Sequence, residues 1–289
     1  MNGFLLIDKP EGITSAACVY KLRDYLGIKR IGHCGTLDPL ATGLLPICIG
    51  EATKFSNYMS NLNKTYEVTI QFGIETDTGD ILGNIVSEDK RKVCRTKLTR
   101  ILTGLIGKQI QLPPMFSAVR FNGKPLYYWA RKGVFLRRNS REIVIYDADL
   151  LWLKNNKAKL TIACSKGTYI RTIVESIGRH LSTKATVSTL RRIKVGNMES
   201  SQMVRMPFRK TDTLFESILP SDFALSHYEK VILTKNDIKK VKNGQSIDYN
   251  AQLEKKGLVR IYTDKSLFVG LGEIDSSNKL SPKRLLATN

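Results

Sequence analysis

A glycine-rich stretch near the N-terminus, residues 30–43, constrains the fold of this chain more than any other feature. It places three glycines, a proline, a histidine and a single carboxylate within fourteen residues, between apolar runs. Glycine permits positive φ and close approach of a ligand, while Pro39 pushes Asp38 away from helical dihedrals. We therefore expect Asp38 on a rigid, non-helical loop, with His33 five residues before it. Loops held by a scaffold are where functional residues concentrate.

The same stretch resembles the catalytic loop of the TruB family of tRNA pseudouridine-55 synthases, whose pattern is G-H-x-G-x-L-D-P-x-A-T-G-x-L. Ten positions of that pattern match, namely Gly32, His33, Gly35, Leu37, Asp38, Pro39, Ala41, Thr42, Gly43 and Leu45. This number of matches in one window makes the resemblance specific. It implies that Asp38 is the catalytic nucleophile. Without the surrounding motif, an aspartate before proline would more often order a turn through hydrogen bonds to the backbone.

Two further segments resemble the family, Lys64-x-Tyr66 and the run Cys-Ser-Lys-Gly-Thr-Tyr-Ile-Arg that ends at Arg171. The resemblance implies that Tyr66 stacks on the target uridine, that Tyr169 packs beside it and that Arg171 pairs with Asp38. An aromatic face suits an unstacked base, and an arginine partner keeps a carboxylate ionised and oriented. On periodicity alone, Tyr66 would be a core residue of an alternating strand.

The segment Thr189–Arg192 resembles a short Leu-Arg-Arg motif of the family. This resemblance implies that Leu190 contributes to the base pocket and that the two arginines, Arg191 and Arg192, face phosphates. A solvated strand edge is the alternative for both arginines. By the same resemblance, His33 occupies or reorganises the space that the flipped base vacates, whereas a neutral core histidine is its alternative.

The charge of the chain favours a polyanionic partner. It carries 46 Lys and Arg against 26 Asp and Glu, a net charge of +20, and each neutralised phosphate releases condensed counterions. Residues 115–141 contain seven basic residues, no acid and six interleaved aromatics, which suits phosphate contacts and base stacking. The segment resembles the insertion of the family that enters the T-arm of tRNA, at about residues 113–142. The alternative for the charge is a soluble protein that is merely basic. The alternative for this segment is a solvated basic loop whose aromatic side chains fill the core.

Hydrophobic patterning predicts the local structure around these motifs. We expect a helix from Thr14 or Ser15 to about Leu26, with Gly27 as its stop. The preceding segment, Lys9-Pro10-x-Gly12-x-Thr14-Ser15, resembles the first motif of the family, which implies that Lys9 supports the catalytic loop. Other predicted elements are a strand at 4–7, a buried strand at 44–50, an alternating strand at 65–72, an amphipathic helix at 98–105, paired strands at 143–153 and 158–164, and a helix capped by Thr168. The acidic segment 73–80 reads as a solvated loop.

The resemblance implies an α/β (α+β) fold with two domains. The pseudouridine synthase catalytic domain, with a mostly antiparallel mixed sheet and flanking helices, is expected at residues 1–227. A small β-rich, PUA-like RNA-binding domain is expected at residues 228–289, with a helix that carries Ile238, strands at 258–262 and 267–271, and a basic tail. A plain β-barrel cap is the alternative for this domain.

Several classes of site and partner have no support in the sequence. The five cysteines are scattered without a Cys-x-x-Cys pair, and only three histidines are present, so we expect reduced thiols and neither a disulfide framework nor a metal site. No phosphate-binding loop or dinucleotide fingerprint occurs, so no cofactor is expected. No leader or membrane-length apolar run is visible. We expect a cytoplasmic monomer that binds tRNA and no membrane.

Together these features predict an enzyme that converts the T-loop uridine of tRNA to pseudouridine. The reaction needs no cofactor, and one carboxylate can act as nucleophile or stabilise a glycosyl cation; attack on the sugar and attack on the base both stay open. The alternatives are a non-catalytic RNA-binding protein or tRNA-folding chaperone, and a relative that depends on a guide RNA. The tRNA-gripping insertion favours the stand-alone enzyme.

Overall fold

The computed structural model describes residues 1–208, 214–249 and 256–287. Its first strands are β1 (Gly3–Lys9), β2 (Ile31–His33), β3 (Thr42–Ile49), β4 (Lys64–Phe72), β5 (Ile74–Thr76), β6 (Ile85–Glu88) and β7 (Gly107–Gln111). Next along the chain come β8 (Arg120–Phe121), β9 (Lys124–Pro125), β10 (Arg141–Lys154), β11 (Lys157–Cys164), β12 (Ala185–Val195), β13 (Met198–Glu199) and β14 (Val204–Arg205). The helices among them are α1 (Ser15–Leu26), α2 (Ser56–Ser60), α3 (Arg95–Leu105), α4 (Leu126–Ala130) and α5 (Ile170–His180).

Helix α1 has the ends that its sequence predicts. The Thr14 side chain accepts a hydrogen bond from the Ala17 backbone N–H over 3.1 Å, which satisfies a donor that the first turn leaves free. Gly27 adopts a left-handed conformation with a φ of +66°, and its N–H donates to the Arg23 carbonyl over 2.9 Å. Both ends are set by neighbours in sequence, so local patterns suffice to predict them.

The large sheet joins its strands in the order β14-β1-β3-β12-β4-β11-β10-β7, with β2 beside β3 and β13 beside β12. Only the β1–β14 and β3–β12 pairs of these described strands are parallel. Two asparagines with positive φ, Asn155 and Asn156, turn the chain from β10 into β11. The sheet is therefore mixed and mostly antiparallel, and the α/β fold class predicted from the sequence is confirmed.

The core of the large domain follows from alternation on the strands and a single apolar stripe on each helix. Strand β4 buries every second residue, from Lys64 to Phe72. Helix α5 turns its apolar face, Ile170, Ile173, Val174 and Ile177, onto the sheet beside β12. One predicted end differs, because α5 starts after Tyr169 rather than after Thr168. Residues 50–55 form a 3₁₀ segment before α2.

A second, five-stranded sheet forms near the C-terminus around its own apolar cluster. Its elements are β15 (Glu229–Leu233), α6 (Lys235–Lys242), β16 (Ile247–Asp248), β17 (Gly257–Thr263), β18 (Phe268–Ile274) and β19 (Lys279–Leu285). The stretch expected to be a basic tail contributes β19, because Leu280 packs inward and pairs with Ile274. The two units touch where the rings of Phe55 and Phe268 lie 5.6 Å apart.

Within the described ranges, no helix combines the length and the apolar character that crossing a membrane would require.

Candidate active site

Asp38 lies in the loop between β2 and β3, two antiparallel strands of the large sheet. The Ala41 N–H donates to the Asp38 carbonyl over 3.0 Å, which closes a tight turn through Pro39. Gly43, at the start of β3, has a φ of +94°, and a Cβ atom there would lie 2.3 Å from the Arg192 carbonyl oxygen. Only glycine fits at this position. Residues 34–41 belong to no helix or strand, so the non-helical backbone expected around Asp38 is confirmed.

The structure brings Asp38 to Arg171, at the start of α5. Arg171 Nε donates to Asp38 Oδ2 over 2.9 Å, while Nη1 donates to the Thr78 carbonyl over 2.6 Å and Nη2 to the Phe116 carbonyl over 2.8 Å. The Arg171 side chain is 4% exposed, whereas that of Asp38 is 33% exposed. A buried guanidinium with three fixed acceptors thus orients a carboxylate that solvent and ligands can still reach.

Two buried side chains brace the loop on either side of Asp38. Lys9, which is fully buried, donates from Nζ to the carbonyls of Ile13 over 2.7 Å and Pro39 over 3.3 Å. Ser15 Oγ donates to the Leu37 carbonyl over 3.2 Å and accepts the Leu37 N–H over 2.8 Å. Burial lowers the pKa of Lys9. Lys9 therefore supports the loop, as the sequence indicated.

Arg192 neither faces phosphates nor lies on a solvated strand edge, so both expectations for this residue are wrong. Arg192 is 1% exposed and points beneath the loop, where its nitrogens donate to the carbonyls of Leu44 (2.7 Å), Gly35 (3.2 Å) and Thr36 (3.4 Å). Its neighbour Arg191 points the other way and donates to both carboxylate oxygens of Asp8, over 2.9 and 2.8 Å. Successive side chains of β12 point to opposite faces of the sheet. The two arginines therefore bind different protein acceptors.

Tyr66 and Leu190 lie in the main core cluster, where they are 8% and 7% exposed. Tyr66 stands opposite Arg192 in the β4–β12 pair and senses the charges of Arg192 and Asp38, while burial raises the pKa of its hydroxyl. Leu37 and Leu40, which flank Asp38, belong to the same cluster. The core position that periodicity gives Tyr66 is thus confirmed, and this core cluster extends to the two leucines of the Asp38 loop.

His33 ends β2 and is half-buried. Burial, and secondarily the charge of Arg192, lower its pKa from the ordinary value of 6.5, so the imidazole is neutral at physiological pH. Its Nδ1 is buried and has no hydrogen-bond partner among the described residues. The His33 ring is therefore a neutral group whose Nδ1 can still form a hydrogen bond with a ligand.

Tyr169 is the residue that precedes α5, and two neighbouring strands hold it. Gln111 of β7 forms two hydrogen bonds with the Tyr169 backbone, over 2.8 and 3.1 Å. The Arg141 guanidinium lies 4.8 Å from the centroid of the Tyr169 ring, in a cation–π contact. The sequence does not single out Gln111; its only signal is a polar residue at an inward position of a short edge strand.

The acidic segment 73–80 is not the solvated loop that its composition suggests. Its end packs against β12, since the Val187 N–H donates to the Gly79 carbonyl over 3.1 Å, and Asp80 is 8% exposed. The Thr78 carbonyl reaches Arg171. A backbone carbonyl carries no sequence signal, so this part of the site is visible only in the structure.

The basic insertion presents cations and aromatic rings together at the surface. Lys124 Nζ and Lys132 Nζ lie 4.4 and 4.8 Å from the centroid of the Tyr128 ring. Phe135 is 79% exposed, and Arg131 and Lys132 are also exposed. Lone apolar groups on a surface need no explanation, but rings interleaved with exposed cations are suited to stacking on bases and contacting phosphates.

Across the described ranges, no group of three or more His, Cys, Asp or Glu side chains gathers in a way that could hold a metal ion. The five cysteines are all free thiols. The chemistry available at this site is that of one accessible carboxylate with a fixed guanidinium partner.

Three models of known protein families match this chain. Residues 23–170 match the model of the TruB family pseudouridylate synthase N-terminal domain. Residues 171–226 match the tRNA pseudouridylate synthase B C-terminal domain, and residues 230–286 match the model described as pseudouridine synthase II TruB, C-terminal.

Full-length relatives and a solved structure extend the comparison. The tRNA pseudouridine synthase B of Stutzerimonas stutzeri is 38% identical, covering 99% of this chain and 96% of that protein, and that of Buchnera aphidicola is 39% identical over the same shares. The solved structure of an H/ACA RNP bound to a substrate RNA containing 2′-deoxyuridine shares the fold, with a TM-score of 0.76 at 21% identity over 99% of this chain and 85% of that one. The chain therefore belongs to the TruB family of pseudouridylate synthases, enzymes of the isomerase class.

Proposed function

We propose that this chain isomerises uridine-55 in the T-loop of tRNA to pseudouridine, with Asp38 as the nucleophile and with the target base flipped out of its stack. The observation that carries the proposal is the Asp38–Arg171 pair, in which a buried guanidinium holds a partly exposed carboxylate over 2.9 Å. The relatives named tRNA pseudouridine synthase B, which match nearly the full length, support tRNA as the substrate.

The reaction balances without a cofactor. The N1–C1′ bond of uridine breaks, the base turns, a C5–C1′ bond forms, and the hydrogen of C5 leaves as a proton while N1 gains one. Asp38 Oδ2 accepts the Arg171 hydrogen bond, and Oδ1 accepts none from the described residues. Oδ1 is thus available to attack either the sugar or the base, while Arg171 stabilises the carboxylate before attack and after release.

The proposed pocket for the flipped uridine is formed by Tyr66, Tyr169 and Leu190. Extrusion of a base costs a few kcal/mol in lost stacking, and two tyrosine rings and a leucine side chain return part of that through contact with the base. His33, neutral and with a free Nδ1, is proposed to occupy or reorganise the space that the base leaves. The shared core cluster of Tyr66, Leu190, Leu37 and Leu40 supports a single pocket around Asp38.

The insertion at about residues 113–142 is proposed to grip the T-arm. Its exposed cations and rings, together with a net charge of +20, suit a folded polyanion. We assign residues 1–227 to the catalytic domain and residues 228–289 to a PUA-like RNA-binding domain. We also propose that the protein is a monomer and acts in the cytoplasm.

The experiment uses unmodified tRNA transcripts labelled with tritium at C5 of uridine, with the purified protein as the only macromolecule added. Tritium release from the tRNA, and none from the same tRNA with cytidine at position 55, is the expected result. Release that requires an added guide RNA would contradict the stand-alone reaction. Tight binding without release would favour a tRNA-folding chaperone instead.

A further inference from the structure

We propose that Gln111 is a positioning residue of this enzyme: its amide fixes the start of α5, and thereby sets Tyr169 and Arg171 against Asp38. This inference rests on the proposed function, because its effect is measured on the same reaction. Gln111 lies outside the short motifs by which the sequence resembles the family, and it contacts none of the reacting groups. It therefore acts through the residues that it holds.

The start of α5 lacks a capping side chain of its own. Tyr169 occupies the capping position in an extended conformation, and its side chain makes no capping hydrogen bond. Gln111, from another strand, holds the backbone of the capping residue itself, since the Tyr169 N–H donates to Oε1 over 2.8 Å and Nε2 donates to the Tyr169 carbonyl over 3.1 Å. The same carbonyl accepts the Ile173 N–H over 3.2 Å, which is a bond of the first helical turn.

The residue type at position 111 is determined by this geometry. The Tyr169 N–H can only donate and its carbonyl can only accept, so the partner must present an acceptor and a donor side by side, as an amide does. Gln111 is 4% exposed, and water therefore cannot replace either bond. A carboxylate of the same size would keep the acceptor but set a second oxygen against the Tyr169 carbonyl. A methionine would supply neither bond.

The bonds to Tyr169 also set the position of Arg171, two residues later. Ile170, between them, is 3% exposed and locked in the core, so the first turn of α5 moves as a unit. Gln111 pairs with Arg141 across the β7–β10 ladder, and Arg141 stacks on the Tyr169 ring. One end of this strand pair therefore holds both the backbone and the ring of Tyr169. A displacement of about 1 Å in a catalytic group can cost about 100-fold in rate.

The test compares Gln111→Met and Gln111→Glu with wild-type protein and with Gln109→Met. Gln109 is a matched control, because it lies on the same strand two residues earlier, and its amide donates to the Leu105 carbonyl rather than to the start of α5. We expect Gln111→Met to lower kcat about 10- to 100-fold, with KM and tRNA affinity changed less than about threefold. Gln109→Met is expected to keep kcat within about twofold.

Hydrogen–deuterium exchange gives a readout that does not depend on activity. The Tyr169 amide should exchange faster in Gln111→Met, which removes its acceptor, and stay protected in Gln111→Glu, which keeps an acceptor oxygen. Assayed at a pH at which its carboxylate is ionised, Gln111→Glu is expected to lose kcat nonetheless, because its second oxygen then faces a carbonyl. This variant also keeps the test decisive if Gln111→Met does not fold.

A wild-type kcat in either Gln111 variant, or a loss confined to KM, would overturn the inference while leaving the proposed function intact. A loss of kcat in Gln109→Met equal to that in Gln111→Met would also overturn it, since the effect would then be a general weakening of β7. Absence of tritium release by the wild-type protein would instead overturn the proposed function, and this inference with it.

Discussion

Arg171 donates from Nε to Asp38 Oδ2 over 2.9 Å, although the two residues stand 133 positions apart in the chain. The contact joins the glycine-rich loop after β2 to the first turn of α5. Two carbonyl acceptors, from Thr78 and Phe116, fix the remaining guanidinium nitrogens. Acceptors from three separate segments thus converge on one guanidinium, and the orientation of the Asp38 carboxylate depends on all of them.

Arg171→Lys should impair catalysis more than binding. A lysine has a single ammonium on a flexible stem and cannot reach Asp38 and two carbonyls at once. We expect the single-turnover rate of isomerisation to fall about 100-fold or more, with the tRNA dissociation constant changed less than about threefold. Arg179→Lys, on the exposed end of the same helix, is the matched control. A single-turnover rate within about twofold of wild type would contradict the role of the guanidinium.

Gly43→Ala should destabilise the fold, whereas Gly32→Ala should not. The added Cβ at position 43 would lie 2.3 Å from a backbone oxygen, at a φ of +94°. At position 32 nothing lies within 4 Å. We expect Gly43→Ala to lower the free energy of unfolding by more than about 1 kcal/mol, measured by urea denaturation, and Gly32→Ala to change it by less than about 0.5 kcal/mol. An equal change in the free energy of unfolding in the two variants would contradict this prediction, because the backbone at position 43 would then have relaxed to accommodate the Cβ atom.

Lys64 should make the stability of the protein rise with pH above neutrality. Burial, and then the charge of Arg192, lower its pKa from 10.5 to about 8. Between these values the unfolded state binds the proton more tightly, so raising the pH increases the free energy of unfolding. Relative to Lys64→Met, the wild-type free energy of unfolding should increase by about 2 kcal/mol between pH 7.5 and pH 10. Parallel pH profiles for the two proteins would contradict this.

Replacing Arg131, Lys132 and Arg137 with glutamine should weaken tRNA binding and its dependence on salt. These exposed side chains lie in the basic insertion. Loss of three phosphate contacts should reduce the slope of log affinity against log salt by about two to three units. Glutamine at three exposed basic positions of α3, Arg95, Lys97 and Arg100, gives a control of equal charge change. An unchanged slope in the insertion variant would place the tRNA contact elsewhere.

The parts of this structure that follow from the sequence are those set by local rules. The ends of α1 depend on Thr14 and Gly27, which contact residues within four positions of themselves. The alternation of β4 and the apolar stripe of α5 likewise report which face is buried. These patterns predict the elements, and the family motifs predict that Asp38 and Arg171 meet.

The remaining parts depend on contacts that sequence patterns do not encode. Gln111 and Tyr169 stand 58 positions apart, and one of the two groups in each of their bonds belongs to the backbone. Arg192 reads as a surface cation from its charge, but strand alternation turns it inward, where three carbonyls compensate its burial. Strand β19 is not evident in this basic stretch because Leu280 is the only one of its seven residues that is buried.

The most direct test of the central claim, that Asp38 is the nucleophile, compares tritium release by wild-type protein and Asp38→Asn on the same tRNA. Asparagine keeps the size of the side chain but removes the charge and the nucleophilic oxygen. We predict release by the wild type only, with the tRNA dissociation constant of Asp38→Asn within about threefold of wild type and its unfolding midpoint unchanged. Release by folded Asp38→Asn at a rate near that of the wild type would contradict the account.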